Sequence, residues 1–267
     1  DEELSVMAQF IQKLYELADK AGGEAPKPER PATSFIDDIK LSSGNEQLLA
    51  VYNMKDELIK AIESWSVLSE KINNRWPEWL ILKRLVGHLN GIEDADVLRT
   101  QAEQIEKHRL LIEDPDAITP LIKNTEQKLR DEINRLNGEY QKKYRNGMEY
   151  LLSDENWKKL EPDQREALLQ KYYLNDSAKP KVNVEDTRRI LETLDSTPIV
   201  MFSDRVAAMP GRFEKIAAEA AELIEPAAQI IKVPPRTLKT SKDIDSWLKE
   251  VEGKLKSALE KGPVVIQ

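Results

Sequence analysis

The 267 residues are enough for one large or two ordinary domains, and 40% hydrophobic content with five Trp supplies a core. Cysteine is absent, which excludes disulfides, thiolate nucleophiles, zinc–cysteine sites and iron–sulfur clusters and points to a reducing, cytoplasmic setting. The net charge of −8 sets the chain as a whole against nucleic acid and anionic membrane. With 33% charged residues, ten Gly and few β-branched runs, a mainly α fold is expected: a multi-helix bundle with a long coiled-coil-like helix and a small C-terminal β-α-β element. No apolar run approaches the roughly 20 residues of a membrane span. Asp1-Glu2-Glu3 is unlike a signal-peptide start, and the amphipathic opening without Met reads as part of a longer polypeptide.

Leu4, Met7, Phe10, Ile11, Leu14, Leu17 and Ala18 predict a first amphipathic helix that stops at Gly22-Gly23. Pro26, Pro28 and Pro31 then predict an extended crossing, pinned to the core by Phe35, Ile36, Ile39 and Leu41. A second helix is expected from an Asn45 N-cap through Leu48, Ile62, Trp65 and Ile72, ended or re-aimed by Trp76-Pro77. Trp79, Leu82, Leu85, Val86 and Leu89 predict a short helix closed by Asn90-Gly91, and Ala95 to Leu110 another. The short loops here predict antiparallel neighbours.

After Asp114-Pro115, the stripe Ile118, Ile122, Thr125, Leu129, Ile133, Leu136, Tyr140, Tyr144, Met148 and Leu151 steps by threes and fours on one helical face. It predicts a long packing helix over about 116–152, with Pro120 in its first turn. Ser153-Asp154 and Glu161-Pro162 mark the starts of two short helices, the second carrying Leu168, Leu169 and Tyr172. Residues 175–183 are polar and contain Pro180, so they read as a hinge between a helical bundle at 1–174 and a C-terminal subdomain at 184–267. In that subdomain Ile190, Leu191 and Leu194 open a helical set, and Pro210-Gly211 is expected to kink or divide the stretch from Pro198 to Glu225. Residues 229–233 and 263–266 have strand composition on either side of a helical stretch, Asp243 to Lys261, which economically gives two short parallel strands with a crossover helix; a terminal helix with an exposed apolar tail is the alternative.

Chemistry-bearing motifs are sparse. No G-x-x-x-x-G-K-[ST] or G-x-G-x-x-G run occurs, so nucleotide binding by this chain alone is not expected. His88 and His108 are the two imidazoles, 20 residues apart, and read as surface or helix-end residues rather than metal ligands. The pairs Asp37/Asp38, Asp114/Asp116 and Asp131/Glu132 point apart on a helix and read as caps and solvated faces rather than acid–base dyads. The expectation is no catalytic residue, no cofactor-binding residue, no metal ligand and no small-molecule substrate.

Charge is unevenly distributed. Residues 121–146 and 226–267 are each +3, on a remainder of −14. Arg135, Lys142, Lys143 and Arg145 on the long helix, with Lys232, Arg236, Lys239 and Lys242 in the tail, are therefore the candidate contacts for DNA or a protein partner. Tyr140 and Tyr144 interleave with the first group as stacking rings would, but both lie on the apolar stripe, which favours core. Of the tryptophans, Trp65, Trp79 and Trp247 fall on apolar faces, and Trp76 and Trp157 near breaks suit an interface.

Several landmarks together resemble the C-terminal helical region of the large P-loop ATPase of bacterial phage-exclusion (BREX) systems, the BrxC/PglY family. They are Arg75-Trp-Pro-Glu-Trp-Leu80, Arg109 to Asp116, Leu129-Arg-Asp-Glu-Ile133, Trp157 to Arg165, Pro235 to Thr240, Ile244-Asp-Ser-Trp-Leu248 and Lys261 to Ile266. The resemblance covers nearly the whole chain through structural landmarks. It implies ATP and Mg for the full-length protein, in an N-terminal region whose Walker motifs are absent here. For this chain it implies a non-catalytic module for oligomerisation or for binding other defence proteins. A DNA-contacting module of the same complex and an unrelated helical scaffold or adaptor are the alternatives.

Overall fold

Helix dominates because apolar residues recur every three or four positions over most of the chain, a spacing that a strand cannot bury on one face. The computed structural model describes residues 2–224, 229–233, 236–260 and 262–266 and is mainly α. In chain order the helices are α1 (Glu2–Ala18), α2 (Ser34–Leu41), α3 (Asn45–Asn53), α4 (Lys55–Gly87), α5 (Asp96–Lys107), α6 (Ile118–Ser153), α7 (Glu155–Lys159), α8 (Pro162–Lys171), α9 (Thr187–Ser196), α10 (Ile199–Ile224) and α11 (Ser241–Leu259). Two short strands, β1 (Gln229–Ile231) and β2 (Val264–Ile266), pair in parallel with Gln229 opposite Val264 and Ile231 opposite Ile266. No helix among the described residues is long and apolar enough to cross a membrane.

Two compact units, each discontinuous in sequence, divide the chain: residues 1–136 with 181–203, and residues 137–180 with 204–267. This differs from a division at 175–183, because α9 belongs with the first unit. There Thr187 donates its hydroxyl hydrogen bond to Glu126, and Arg84 pairs with Asp195 at 2.9 Å. The expected hinge itself contains a 3-10 turn, Asp176–Ala178.

In the first unit, α1 lays Met7, Ile11, Leu14 and Ala18 against Ile36 and Ile39 of α2 and Leu58, Ala61 and Trp65 of α4. The extended crossing expected after the prolines gives way at Ser34 to helix. The Thr33 carbonyl accepts from the N–H groups of Ile36 and Asp37, and no proline interrupts the next turn. Leu41 does not pin this segment; it is 85% exposed. The helix expected from Asn45 breaks at Met54 (φ −106°, ψ 18°), and Gly44, not Asn45, occupies the cap.

A further correction lies at Trp76-Pro77, where α4 continues unbroken to Gly87. Pro77 costs a backbone bond, about 3 kcal/mol in a helix interior, but Trp79, Leu82 and Leu85 prolong the buried stripe of Ile72 beyond it. Ile72, Trp79 and Leu82 pack with Ala102 and Ile105 of α5 and Ile118 and Leu121 of α6 in a second core cluster. The ten-residue stripe behaves as expected: Ile118, Thr125, Leu129, Ile133, Leu136, Tyr140 and Leu151 are buried and Ile122, Tyr144 and Met148 half-buried.

The start of α6 is fastened by Asp116. Its Oδ1 accepts from the backbone N–H of Ile118 (2.9 Å) and Thr119 (3.3 Å), and its Oδ2 lies 2.6 Å from Nη1 of Arg75. That guanidinium also reaches Glu78 at 2.9 Å and the Thr119 hydroxyl at 3.2 Å.

In the second unit two short helices start where Ser153-Asp154 and Glu161-Pro162 marked them: Asp154 caps α7 by accepting from Trp157 N–H at 2.8 Å, and Glu161 and Gln164 form a capping box on α8. Trp157 is buried rather than at an interface, whereas Trp76, in the first unit, is half-buried with Lys27 Nζ 4.3 Å above its ring. α10 is not divided at Pro210; Val206, Met209, Phe213, Ile216 and Ala220 form one buried stripe across it. In the tail, Thr240 and Asp243 form a capping box at the start of α11. Expectations that touch Glu225, Pro235, Lys261 and Gln267 lie outside the described residues.

Two glycines of α6 give a paired test. A Cβ at Gly147 would overlap the Phe213 ring, whereas one at Gly138 meets open space. Gly147→Ala is expected to destabilise by about 1–3 kcal/mol and Gly138→Ala to stabilise by about 0.5–1 kcal/mol, read as opposite shifts in thermal melting.

A second test concerns acid. Burial raises the Asp116 pKa, but the hydrogen bonds from the Thr119 hydroxyl, the Ile118 and Thr119 N–H groups and Arg75 outweigh it and hold the carboxyl below its ordinary value. Its contribution is thus complete above the unfolded-state value of about 4 and is lost as pH falls through the lower folded value. Asp116→Ala is expected to cost about 1–2 kcal/mol at neutral pH and to flatten the acid limb of a melting-temperature profile.

Candidate interaction surface

Helical periodicity separates the four cations predicted on α6. On an ideal helix Lys142 and Arg145 are about 60° apart, and Lys143 is turned about 100° from Lys142. Arg135 belongs to the first unit and the other three to the second. Arg135 is clamped to Glu132, Nη2 to Oε1 at 2.6 Å and Nε to Oε2 at 2.9 Å, and this bond holds the Glu132 carboxyl below its ordinary range. Lys143 is half-buried and donates to the Val206 carbonyl at 3.2 Å. Lys142 and Arg145 are exposed and make no ion pair among the described residues.

Of the interleaved tyrosines Tyr140 is buried and Tyr144 half-buried. Tyr140 is 1% exposed and stacks on Tyr144 with centroids 6.2 Å apart; Tyr144 meets the Phe213 ring edge-on at 5.9 Å and carries Lys179 Nζ 4.9 Å above it. Burial, then the neighbouring Tyr144, pushes the Tyr140 phenol up, against the pull of Arg205, Lys179 and Arg212. Neither ring presents a free face for a base, so the core reading holds.

In the tail Lys232, Arg236, Lys239 and Lys242 are all exposed. Arg236 lies 3.7 Å from Glu250, which also pairs with Lys254 at 2.9 Å, and the backbone N–H of Lys239 donates to Asp243.

The imidazoles sit where helices end. His88 caps the C-terminus of α4 with Nε2 3.1 Å from Asp195, and His108 caps α5. No group of three or more His, Cys, Asp or Glu able to hold a metal ion occurs among the described residues.

Sequence reasoning did not find the groove between α8 and α10. It encloses about 600 Å³ over Ala167, Leu168 and Leu223, with Lys171, Glu219 and Glu222 at the rim. Its signal was present in the i, i+4 pairing of Glu219 with Leu223, but the opposing wall comes from α8, which no local pattern announces. Lys171 and Glu219 are ion-paired, and this bond raises the lysine pKa and lowers that of the glutamate. Both shifts lead away from neutrality, opposite to the tuning that general acid–base chemistry uses. The groove is suited to binding side chains rather than to proton transfer.

Compared with protein-family models, with curated proteins and with solved structures, the chain matches none.

The contrast between Lys142 and Lys143 is testable by thermal melting. Lys143→Met removes the bond to the Val206 carbonyl and is expected to cost about 1 kcal/mol, while Lys142→Met stays within about 0.5 kcal/mol of the parent.

Proposed function

We propose that this chain is a non-catalytic helical interaction or oligomerisation module of a large ATPase in bacterial antiphage (BREX) defence. The resemblance supports the assignment to that system through landmarks at structural positions: buried Trp79 in α4, Asp116 at the start of α6, Leu129 and Ile133 on its seam and buried Trp157. The observation that carries the interaction role is α11. Its apolar residues recur at Ile244, Leu248, Val251, Leu255 and Ala258, a spacing of four and three. Yet Ala258 is its one buried residue among those described, and Ile244 and Leu248 are 45% and 51% exposed. A capped 19-residue helix that displays such a stripe is a surface for a partner, another component of the defence complex or a second copy.

DNA contact is the second reading, favoured by Lys142 and Arg145, which are exposed and make no ion pair among the described residues. One set of samples tests both. Sedimentation of the chain alone and with its purified parent ATPase is expected to give a mass above the monomer, lost in Ile244→Glu/Leu248→Glu. A monomer that associates with neither itself nor the parent, or one that carries a stoichiometric metal or nucleotide, counts against the module. A salt series with duplex DNA added promotes the second reading if binding falls steeply with salt and Lys142→Glu/Arg145→Glu reduces the slope by about 2.

A further inference from the structure

α3 is anomalous for a short helix. Five of its nine residues are apolar, yet none of its side chains is fully buried. Helices of this length hold together in proteins because a face is packed. Leu48 and Val51 lean on the core formed by α1, α2 and α4, but Leu49 and Tyr52, three residues apart and so on one face, are 60% and 68% exposed. At the end of α2, which Gln47 Nε2 ties to α3 by donating to the Ile39 carbonyl at 3.2 Å, Leu41 is 85% exposed. Leu49 and Tyr52 are thus two large apolar side chains displayed on one helical face, as at an interaction surface.

The charge around them says what kind of partner fits. Residues 34–57 hold five carboxylates and two lysines, a net charge of −3. Among the described residues, Asp38, Glu46, Asp56 and Glu57 have no cation within ion-pair distance. Lys40 lies over the Tyr15 ring, and Lys55 Nζ lies 5.4 Å from the centroid of Tyr52. An exposed ring that already takes an ammonium on its face suits a cationic partner. The same acidic rim repels an anionic lipid surface and a phosphate backbone.

We propose that Leu41, Leu49 and Tyr52 form a docking face for a basic amphipathic helix of a partner protein. Apolar residues of that helix at i, i+3 or i+4, and i+7 lie on this face, and its Lys and Arg meet Asp38, Glu46, Asp56 and Glu57. The inference deepens the interaction-module reading and rests on it, but it uses residues of the first unit, distinct from α11.

The test is fluorescence anisotropy with a labelled helical peptide of roughly 18 residues, Leu on one face and Lys on the other, beside a control with Glu for every Lys. The Lys peptide is expected to bind and the Glu peptide not. Leu49→Ser/Tyr52→Ser, which leaves every charge in place, weakens binding by about tenfold or more. Glu46→Lys/Asp56→Lys weakens it as well and admits the Glu peptide. Ile244→Glu/Leu248→Glu leaves it unchanged, so failure of the α11 reading and failure of this one register in separate variants. All these side chains are exposed, and circular dichroism checks that each variant keeps its helix content. Absence of binding, or binding that Leu49→Ser/Tyr52→Ser does not weaken, overturns the proposal; the latter would be general attraction to an acidic protein.

Discussion

The apolar seam of α6 is the constraint on which both units rest. Leu129 and Ile133 are buried in the first unit and Tyr140 and Leu151 in the second, all on one continuous 36-residue helix. Since a helix returns to the same face every three or four residues, each half of the seam stays on one face only while its turns are regular, and the start of the helix is therefore critical. Asp116 meets that need twice, accepting from the exposed N–H groups of the first turn and pairing with Arg75 of α4. The close approach of Phe213 to Gly147 fixes the register of the other half against α10, because no side chain larger than hydrogen fits there.

Five arginines of this acidic protein satisfy main-chain carbonyls. Arg99 donates to the Leu89 carbonyl, Arg109 to that of Lys27, Arg165 to those of Trp157 and Lys158, Arg205 to that of Ala178 and Arg212 to that of Tyr172. Each acceptor lies in a turn or near a helix end, where carbonyls lack a helical partner. A guanidinium carries several donors on a planar fork, so it satisfies such groups while its stem covers apolar surface. Lys142, Arg145, Lys232, Lys239 and Lys242 are among the cations that remain exposed.

Elements with strong local signals were legible before any coordinates. The α6 stripe and the helix starts at Asp154 and Glu161-Pro162 depend on residues close together in the chain. The errors cluster where a local rule met distant packing. Trp76-Pro77 and Pro210 read as points where a helix ends or bends, yet each helix runs on and its buried stripe continues. Trp157 read as interfacial and is covered. Of the candidate cations, periodicity alone would have separated Lys143 from Lys142 and Arg145, but only the position of the Val206 carbonyl shows where its ammonium goes. The exposure of Leu41, Leu49 and Tyr52 escaped notice because a sequence shows that residues are apolar, not that they are left uncovered.

The amino-acid sequence by itself determined the mainly helical character, the long seam and the absence of thiol chemistry, because composition and short-range periodicity suffice for each. Tertiary structure decided which apolar faces are covered and which charges are spent. It buried Trp157, exposed Leu41, sealed Tyr140 against Tyr144 and joined Glu126 to Thr187 across 61 positions of chain. These outcomes depend on residues remote in sequence meeting in space, and the burial gained there offsets local preferences such as the cost of a proline within a helix.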